Sequence, residues 1–385
     1  MTNCVDQKFL FVVDSLRIGG IERNVLDQVY FLSDIGRPGT IILLESESMI
    51  SNANFLEAES DLIKEKQIDI RFAKGKRIQQ IRCIWTILRE EHPDLIIDYS
   101  VIGTLLSQIA QLLTTKKIPV HCVIQQFPSL SAPGQRLKRF IYSQFATKLF
   151  INSINYSHDW NRLTNSNFLN KIIFSKKTEI VRNGVYLHRL NGVDTFTKRE
   201  IGNCPRFIFL GRLKDWKGVN NLEVIDMAMN SACEFLIITP DFRKDSVEKL
   251  KQHFGHRITF SFGKSLLDYV PEMRDIHIYP VDYGSSIPFV ESVSTNCLEM
   301  AILGVPSLVT KGGTKNWPEL EKAKLVQEVD WRDLRSIKAG VQRCSKLTVE
   351  TYTFRAAVQA IDIHNNLKLH CTFTHQKDLG RSLTG

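Results

Sequence analysis

The stretch Phe207-Ile208-Phe209-Leu210-Gly211-Arg212-Leu213-Lys214-Asp215-Trp216-Lys217-Gly218-Val219 opens with four apolar residues and breaks at a glycine into a loop rich in cations. A short apolar run closed by a turn residue reads as a buried strand, and the segment after it as the loop into a helix. Outward from this stretch the same unit recurs. On the far side come the runs Phe235 to Ile238, Ile258 to Phe260, Ile276 to Tyr279 and Ser307 to Val309. On the near side come Phe9 to Val13, Thr40 to Leu44, Ile68 to Phe72, Leu95 to Ile97, Val120 to Ile124 and Leu149 to Ile151. Segments of helical length lie between the earlier runs, among them Ile21 to Leu32, Ile78 to Arg89 and Thr104 to Leu113. Strands alternating with helices build βαβ units around parallel sheets, so the fold class is α/β with two doubly wound domains. The boundary falls between about Val181 and Pro205, where a strand-like end gives way to Asn183-Gly184 and a polar stretch.

The chain's 385 residues agree with two domains, and 43% hydrophobic with 24% charged residues exclude a disordered or fibrous class. Fifty Lys and Arg against forty-one Asp and Glu leave a formal charge of +9, which admits an anionic partner without choosing one. The eight cysteines are scattered singly, with no C-x-x-C pair, so neither a zinc site nor a disulfide framework is expected. Residues Met1 to Leu16 carry no basic leader, and no uncharged apolar run reaches the roughly 18 residues of a spanning helix. The expectation is a soluble, cytoplasmic protein.

Three stretches could carry chemistry. The first, Glu291-Ser-Val-Ser-Thr-Asn-Cys-Leu-Glu299-Met-Ala-Ile-Leu-Gly304-Val-Pro306, runs from a polar loop into a short helix. If that helix starts near Asn296, its N–H groups can hold a phosphate while Glu299 projects from the first turn. Asn296 with Glu299 three residues on is equally a capping-box pattern. In the second, Gly211 turns the chain at a strand end, and Arg212 and Lys217 can reach one anion, Arg as a planar fork and Lys as a compact charge. Two loop cations are also ordinary solvated charges. The third, Asp14-Ser15-Leu16-Arg17-Ile18-Gly19-Gly20-Ile21-Glu22-Arg23, joins the first strand to the first helix. Its paired glycines allow close approach of a ligand or merely make the junction, and the absence of G-x-G-x-x-G argues against a nicotinamide cofactor.

In order along the chain, Gly19-Gly20-Ile21-Glu22-Arg23, Pro93-Asp94, Asn183-Gly184-Val185, Gly211-Arg212-Leu213 with Lys217-Gly218, Glu291 with Glu299, and Glu299-Met-Ala with Gly304-Val-Pro306 resemble the retaining GT-B glycosyltransferases of family 4. The resemblance covers roughly residues 8 to 360. It implies two Rossmann-like domains: residues 1–184 for the acceptor, residues 185–350 for the nucleotide-sugar, and residues 351–385 as a helix packing back toward the first domain plus a tail. It further implies that Arg212 and Lys217 grip the donor diphosphate, Glu299 holds the ribose hydroxyls and Glu291 meets the transferred sugar. The amides around Ser294, Thr295 and Asn296, with Gly211 at its turn and Gly20 from the other domain, would complete the cradle. On the acceptor side it points to Ser15, Gln125 and Gln126. No metal and no cofactor beyond the donor substrate are implied. Two departures stand out. A His common in the family just after the strand at Val120 to Ile124 is replaced by Gln125-Gln126, and His121 reads as a packed residue within the strand. The glycine-rich loop usual after the first glutamate reads Ser292-Val-Ser-Thr-Asn296.

Between Tyr99 and His158 stand six Lys or Arg and no Asp or Glu, and Arg71, Lys74, Lys76, Arg77 and Arg82 cluster around Ile78, Ile81 and Trp85. Such a face suits an anionic membrane carrying a lipid-linked acceptor, and equally an ordinary solvated surface. The expected partners are a nucleotide-sugar and a glycan or lipid-linked acceptor, in cell-surface polysaccharide or lipopolysaccharide synthesis. Nucleic acid is not expected, for no zinc-finger pattern, RNA-binding aromatic signature or basic arm is present. A nucleic-acid-binding protein and an epimerase acting on the nucleotide-sugar are the competing readings.

Overall fold

The computed structural model describes residues 7–14, 20–37, 39–44, 59–114, 117–124, 133–151, 178–190, 204–239, 244–262, 269–281, 293–345, 351–365, 367 and 370. The chain divides into one unit of Met1–Tyr186 with Ile363–Gly385 and a second of Leu187–Asp362.

In the first unit the described elements are β1 (Phe9–Val13), α1 (Gly20–Asp34), β2 (Thr40–Leu43), α2 (Ser60–Glu65), β3 (Asp69–Phe72), α3 (Arg77–Glu91), β4 (Leu95–Asp98), α4 (Val101–Leu112), β5 (Val120–Ile124), α5 (Pro133–Phe145), β6 (Lys148–Ile151) and β7 (Thr178–Ile180). Their strands form a parallel sheet in the order β3-β2-β1-β4-β5-β6-β7. β1 is apolar throughout because both of its faces are covered, the usual condition of a central parallel strand. Phe9, Phe11 and Val13 meet α1 through Val25, Leu26 and Val29, while Leu10 and Val12 pack with Ile84, Ile87, Leu106 and Ala110 of α3 and α4. No described helix is long and apolar enough to cross a membrane.

The second unit runs β8 (Arg206–Leu210), α6 (Asn221–Ala228), β9 (Glu234–Thr239), α7 (Lys244–Phe254), β10 (Ile258–Phe262), β11 (Asp275–Tyr279), α8 (Thr295–Ile302), β12 (Ser307–Thr310), α9 (Pro318–Lys322), β13 (Val326–Val329), α10 (Leu334–Ser345) and α11 (Thr351–Ile361). The parallel order is β10-β9-β8-β11-β12-β13. β8 and β11 are neighbours although two strands separate them in sequence, so the chain reverses its direction of sheet growth between them. At the starting end of this pair, Arg206 donates from Nε and Nη2 to the two oxygens of Asp275 at 2.6 and 2.9 Å. Asp275 is fully buried and also accepts from the Tyr269 hydroxyl and, at 2.7 Å, from the Glu272 amide. A buried bidentate pair with its remaining lone pairs used fixes register well.

Both sheets follow the apolar runs, with two strands beyond them: the short β7 at the strand-like end before Asn183-Gly184, and β13. β13, Val-Gln-Glu-Val, is an edge strand whose Gln327 and Glu328 are only half-buried, so it has no continuous apolar signature. The return of the chain also differs in detail from the expected segment 351–385. α11 packs against α8 and α9 within the second unit, and the first unit resumes at Ile363. There the Ile363 amide bonds to Val185 O at 3.1 Å, and a Cβ on Gly184 would meet Ile363 Cα at 2.6 Å. Farther on, the His370 ring stacks on His121 of β5 with centroids 5.4 Å apart and meets the Phe150 ring of β6 at a tilt, 4.3 Å away. The two Nδ1 atoms are 3.2 Å apart. His121 is thus a packed strand residue that helps hold the returning segment.

Burial, then the neighbouring His121, pushes the His370 imidazole well below its ordinary value, and burial alone pushes His277 of β11 down to about 3. Both stay neutral in the folded chain while the unfolded chain protonates near pH 6.5. Stability is therefore present above that pH and falls as pH drops, each histidine removing about 1.4 kcal/mol per pH unit. Urea unfolding between pH 7.5 and 5 should show this slope, and His277→Asn should reduce it. Gly184→Ala should destabilise the first unit by about 1–3 kcal/mol in the same assay, because the added methyl meets backbone.

Candidate functional site

Open parallel sheets bind ligands beyond the carboxyl ends of their strands, where the strand order reverses. In the second unit that place is the end of β8 beside the end of β11. Gly211, at φ 147°, turns the chain out of β8 and places the half-buried Arg212 just beyond the strand. A single 3-10 turn, Asp215–Lys217, follows, closed by Gly218 at φ 80°. That glycine is obligatory on two counts: its backbone is left-handed, and a Cβ there would lie 1.8 Å from Pro280 O. The same carbonyl accepts from Asn221 Nδ2 at 3.0 Å, so the loop is seated on the end of β11. Lys217 Nζ comes 3.0 Å from the Tyr279 hydroxyl and 5.1 Å from the centre of its ring.

α8 reaches the same edge. Its start is one residue before Asn296, and the cap is Ser294, whose hydroxyl accepts from the Cys297 amide at 3.4 Å. The capping-box alternative for Asn296 is therefore replaced by another role: Asn296 Nδ2 donates to Leu210 O at 2.9 Å, tying the helix start to the last residue of β8. The Thr295 hydroxyl at this start is 3% exposed and has no hydrogen-bond partner among the described residues. The amides of Thr295 and Asn296 belong to the first turn, which lacks intrahelical acceptors, and the dipole favours an anion there. Glu299, one turn along α8, is 4% exposed. Below it, Met300 and Leu303 pack with Ile208 and Ile238, which sets the helix on the sheet.

The structure thus brings Gly211, Arg212, Lys217, Ser294, Thr295, Asn296 and Glu299 to one edge of one sheet. Gly20 opens α1 in the other unit. Glu291, Ser15, Gln125 and Gln126 lie outside the described residues. Sequence reading missed Tyr279, Pro280 and Asn221, which seat the lysine loop. Tyr279 closes an apolar run and reads there as a strand residue, and only its position at the strand's last residue hints at more. On the first unit, Lys74, Lys76, Arg77, Ile78 and Arg82 are exposed as expected of a cationic face. Arg71 leaves that group, because Asp69, Glu90 and Glu91 bind it at 2.7, 2.9 and 2.5 Å.

No protein-family model matches the chain, and no curated protein matches it. Solved structures do. HepE of Anabaena, in complex with UDP-glucose, has a TM-score of 0.65 at 14% identity, over 96% of this chain and 100% of its own. Sucrose-phosphate synthase of Thermosynechococcus elongatus has a TM-score of 0.66 at 12% identity, over 97% and 100%. The UDP-GlcNAc 2-epimerase of Neisseria meningitidis, bound to UDP-GlcNAc, has a TM-score of 0.56 at 15% identity, over 96% and 100%. Two parallel-sheet α/β units in this arrangement of elements give the chain the GT-B fold.

Proposed function

We propose that the protein is a glycosyltransferase that moves a sugar from a nucleoside-diphosphate sugar to a hydroxyl of a glycan or lipid-linked acceptor, with retention, in cell-surface polysaccharide synthesis. The observation that carries the reading is the meeting of a cationic loop and a helix start at the reversal point of the second sheet, through Asn296 on Leu210 O at 2.9 Å. A diphosphate there meets the Arg212 fork, the Lys217 ammonium and the open N–H groups of α8. All of these oppose the charge that gathers on the leaving diphosphate as the sugar bond breaks, and preorganised donors of this kind are worth about 2.7–4 kcal/mol each. Glu299 takes the ribose hydroxyls and Glu291 a hydroxyl of the transferred sugar. Gly20 belongs to the acceptor-side half of the cradle, with Ser15, Gln125 and Gln126 near the incoming hydroxyl. The transition state has oxocarbenium character. The side chains and helix carry the leaving-group charge, so no resident metal enters this reading.

The likeness to an epimerase supports the rival use of the same donor site, in which the sugar is altered and returned. Incubation of a nucleotide-sugar without acceptor separates the two, because only epimerisation changes its sugar. The acceptor side lies in the first unit, where α3, α4 and α5 run side by side with Ile78, Leu112, Leu113, Leu137 and Phe140 exposed. Together with Lys76, Arg77 and Arg82 they suit a peripheral position on the anionic inner face of the plasma membrane, each cation adding about 1 kcal/mol.

Three outcomes check these statements. Of UDP, GDP and ADP, one should raise the melting temperature clearly, since a ligand of the folded state alone stabilises it. Arg212→Ala and Glu299→Ala should each lower turnover about tenfold or more, with the wild-type rate unchanged in EDTA. Charge reversal of Lys76, Arg77, Lys138 and Arg139 should weaken binding to phosphatidylserine liposomes. Equal binding by that variant would remove the membrane from the account.

A further inference from the structure

Lys217 is more tightly placed than a loop cation needs to be. Gly218 permits the close approach to Pro280 O, Asn221 bonds that carbonyl at 3.0 Å, and Tyr279 next to it meets the ammonium at 3.0 Å. Loop and strand end therefore share two consecutive residues, one holding the backbone and the other the side chain. Tyr279 is the last residue of β11 and is 6% exposed, and its register partner on β12 is Val309, so its ring is fixed by the sheet. A lysine side chain carries rotamer freedom that an anion would otherwise have to remove on binding. An ammonium already held in place has lost part of that freedom before the ligand arrives. The Nζ lies 3.0 Å from the phenol oxygen and 5.1 Å from the ring centre.

We propose that Tyr279 is a positioning residue that presents the Lys217 ammonium to the diphosphate of the donor, a role resting on the donor-site reading above. A phenol is suited to it because it accepts from the ammonium without a charge of its own. A carboxylate in that place would neutralise the lysine and repel the phosphate.

The test is a double-mutant cycle on the full chain, read as the dissociation constant of whichever of UDP, GDP and ADP binds best, with melting temperatures taken alongside. Tyr279→Phe keeps the ring and its packing and removes only the oxygen. It should weaken binding about three- to tenfold with an unchanged melting temperature, in keeping with loss of a hydrogen bond to a charged group. Lys217→Ala should weaken it about tenfold or more, and Tyr279→Phe added to Lys217→Ala should cost less than a further twofold, since the tyrosine acts only through the lysine. Equal affinity of Tyr279→Phe and wild type, or a full additional loss on top of Lys217→Ala, overturns the role of Tyr279 and leaves the donor site standing. Failure of all three diphosphates to bind wild type, or an unchanged affinity in Lys217→Ala, overturns the donor-site assignment of Lys217 and this role with it.

Discussion

The pairing of β8 with β11 is the constraint from which the site follows. Both strands run the same way, so their carboxyl ends lie together, and the connections leaving them part to opposite sides because β9 and β10 extend one flank and β12 and β13 the other. At the opposite end, Arg206 and Asp275 join the same two strands through two charge-assisted bonds at 2.6 and 2.9 Å. The sheet is tied by ionic contact where these strands start, and the lysine loop and the start of α8 gather where they end.

Around those strand ends, polar side chains fix main chain. Asn296 holds Leu210 O, Asn221 holds Pro280 O and Ser294 caps α8. Each captures a carbonyl or amide that the strands and helices leave over, since a buried peptide group without a partner is costly. The lysine loop and the helix start are thereby tied to the ends of β8 and β11.

The apolar strands were readable because a parallel strand covered on both faces has little choice but Val, Ile, Leu and Phe, and β1 and, beyond its opening Arg206, β8 obey this. β13 was not, since at a sheet edge Gln327 and Glu328 can reach water. For the site, the order Gly211, Arg212, Lys217 and the helix around Glu299 could be read from local spacing. The exchange of duties between Ser294 and Asn296 could not, because a capping box and a long-range amide contact begin with the same letters. Tyr279 was hidden for a related reason. Whether an aromatic strand residue serves the core or a neighbouring loop depends on which strand lies alongside, and that is information about topology rather than sequence spacing.

The way the first unit is assembled bears on how the chain is made. Its core includes Ile363 and Leu367, both buried with Phe11, Tyr30 and Tyr186, whereas the second unit is one uninterrupted segment, Leu187–Asp362. During vectorial synthesis the later unit therefore has all its parts while the earlier one still waits for its last pieces to leave the ribosome. Until then Val185 O has no Ile363 amide to accept from and Phe150 lacks the His370 ring. The half that is translated first is the half that finishes last.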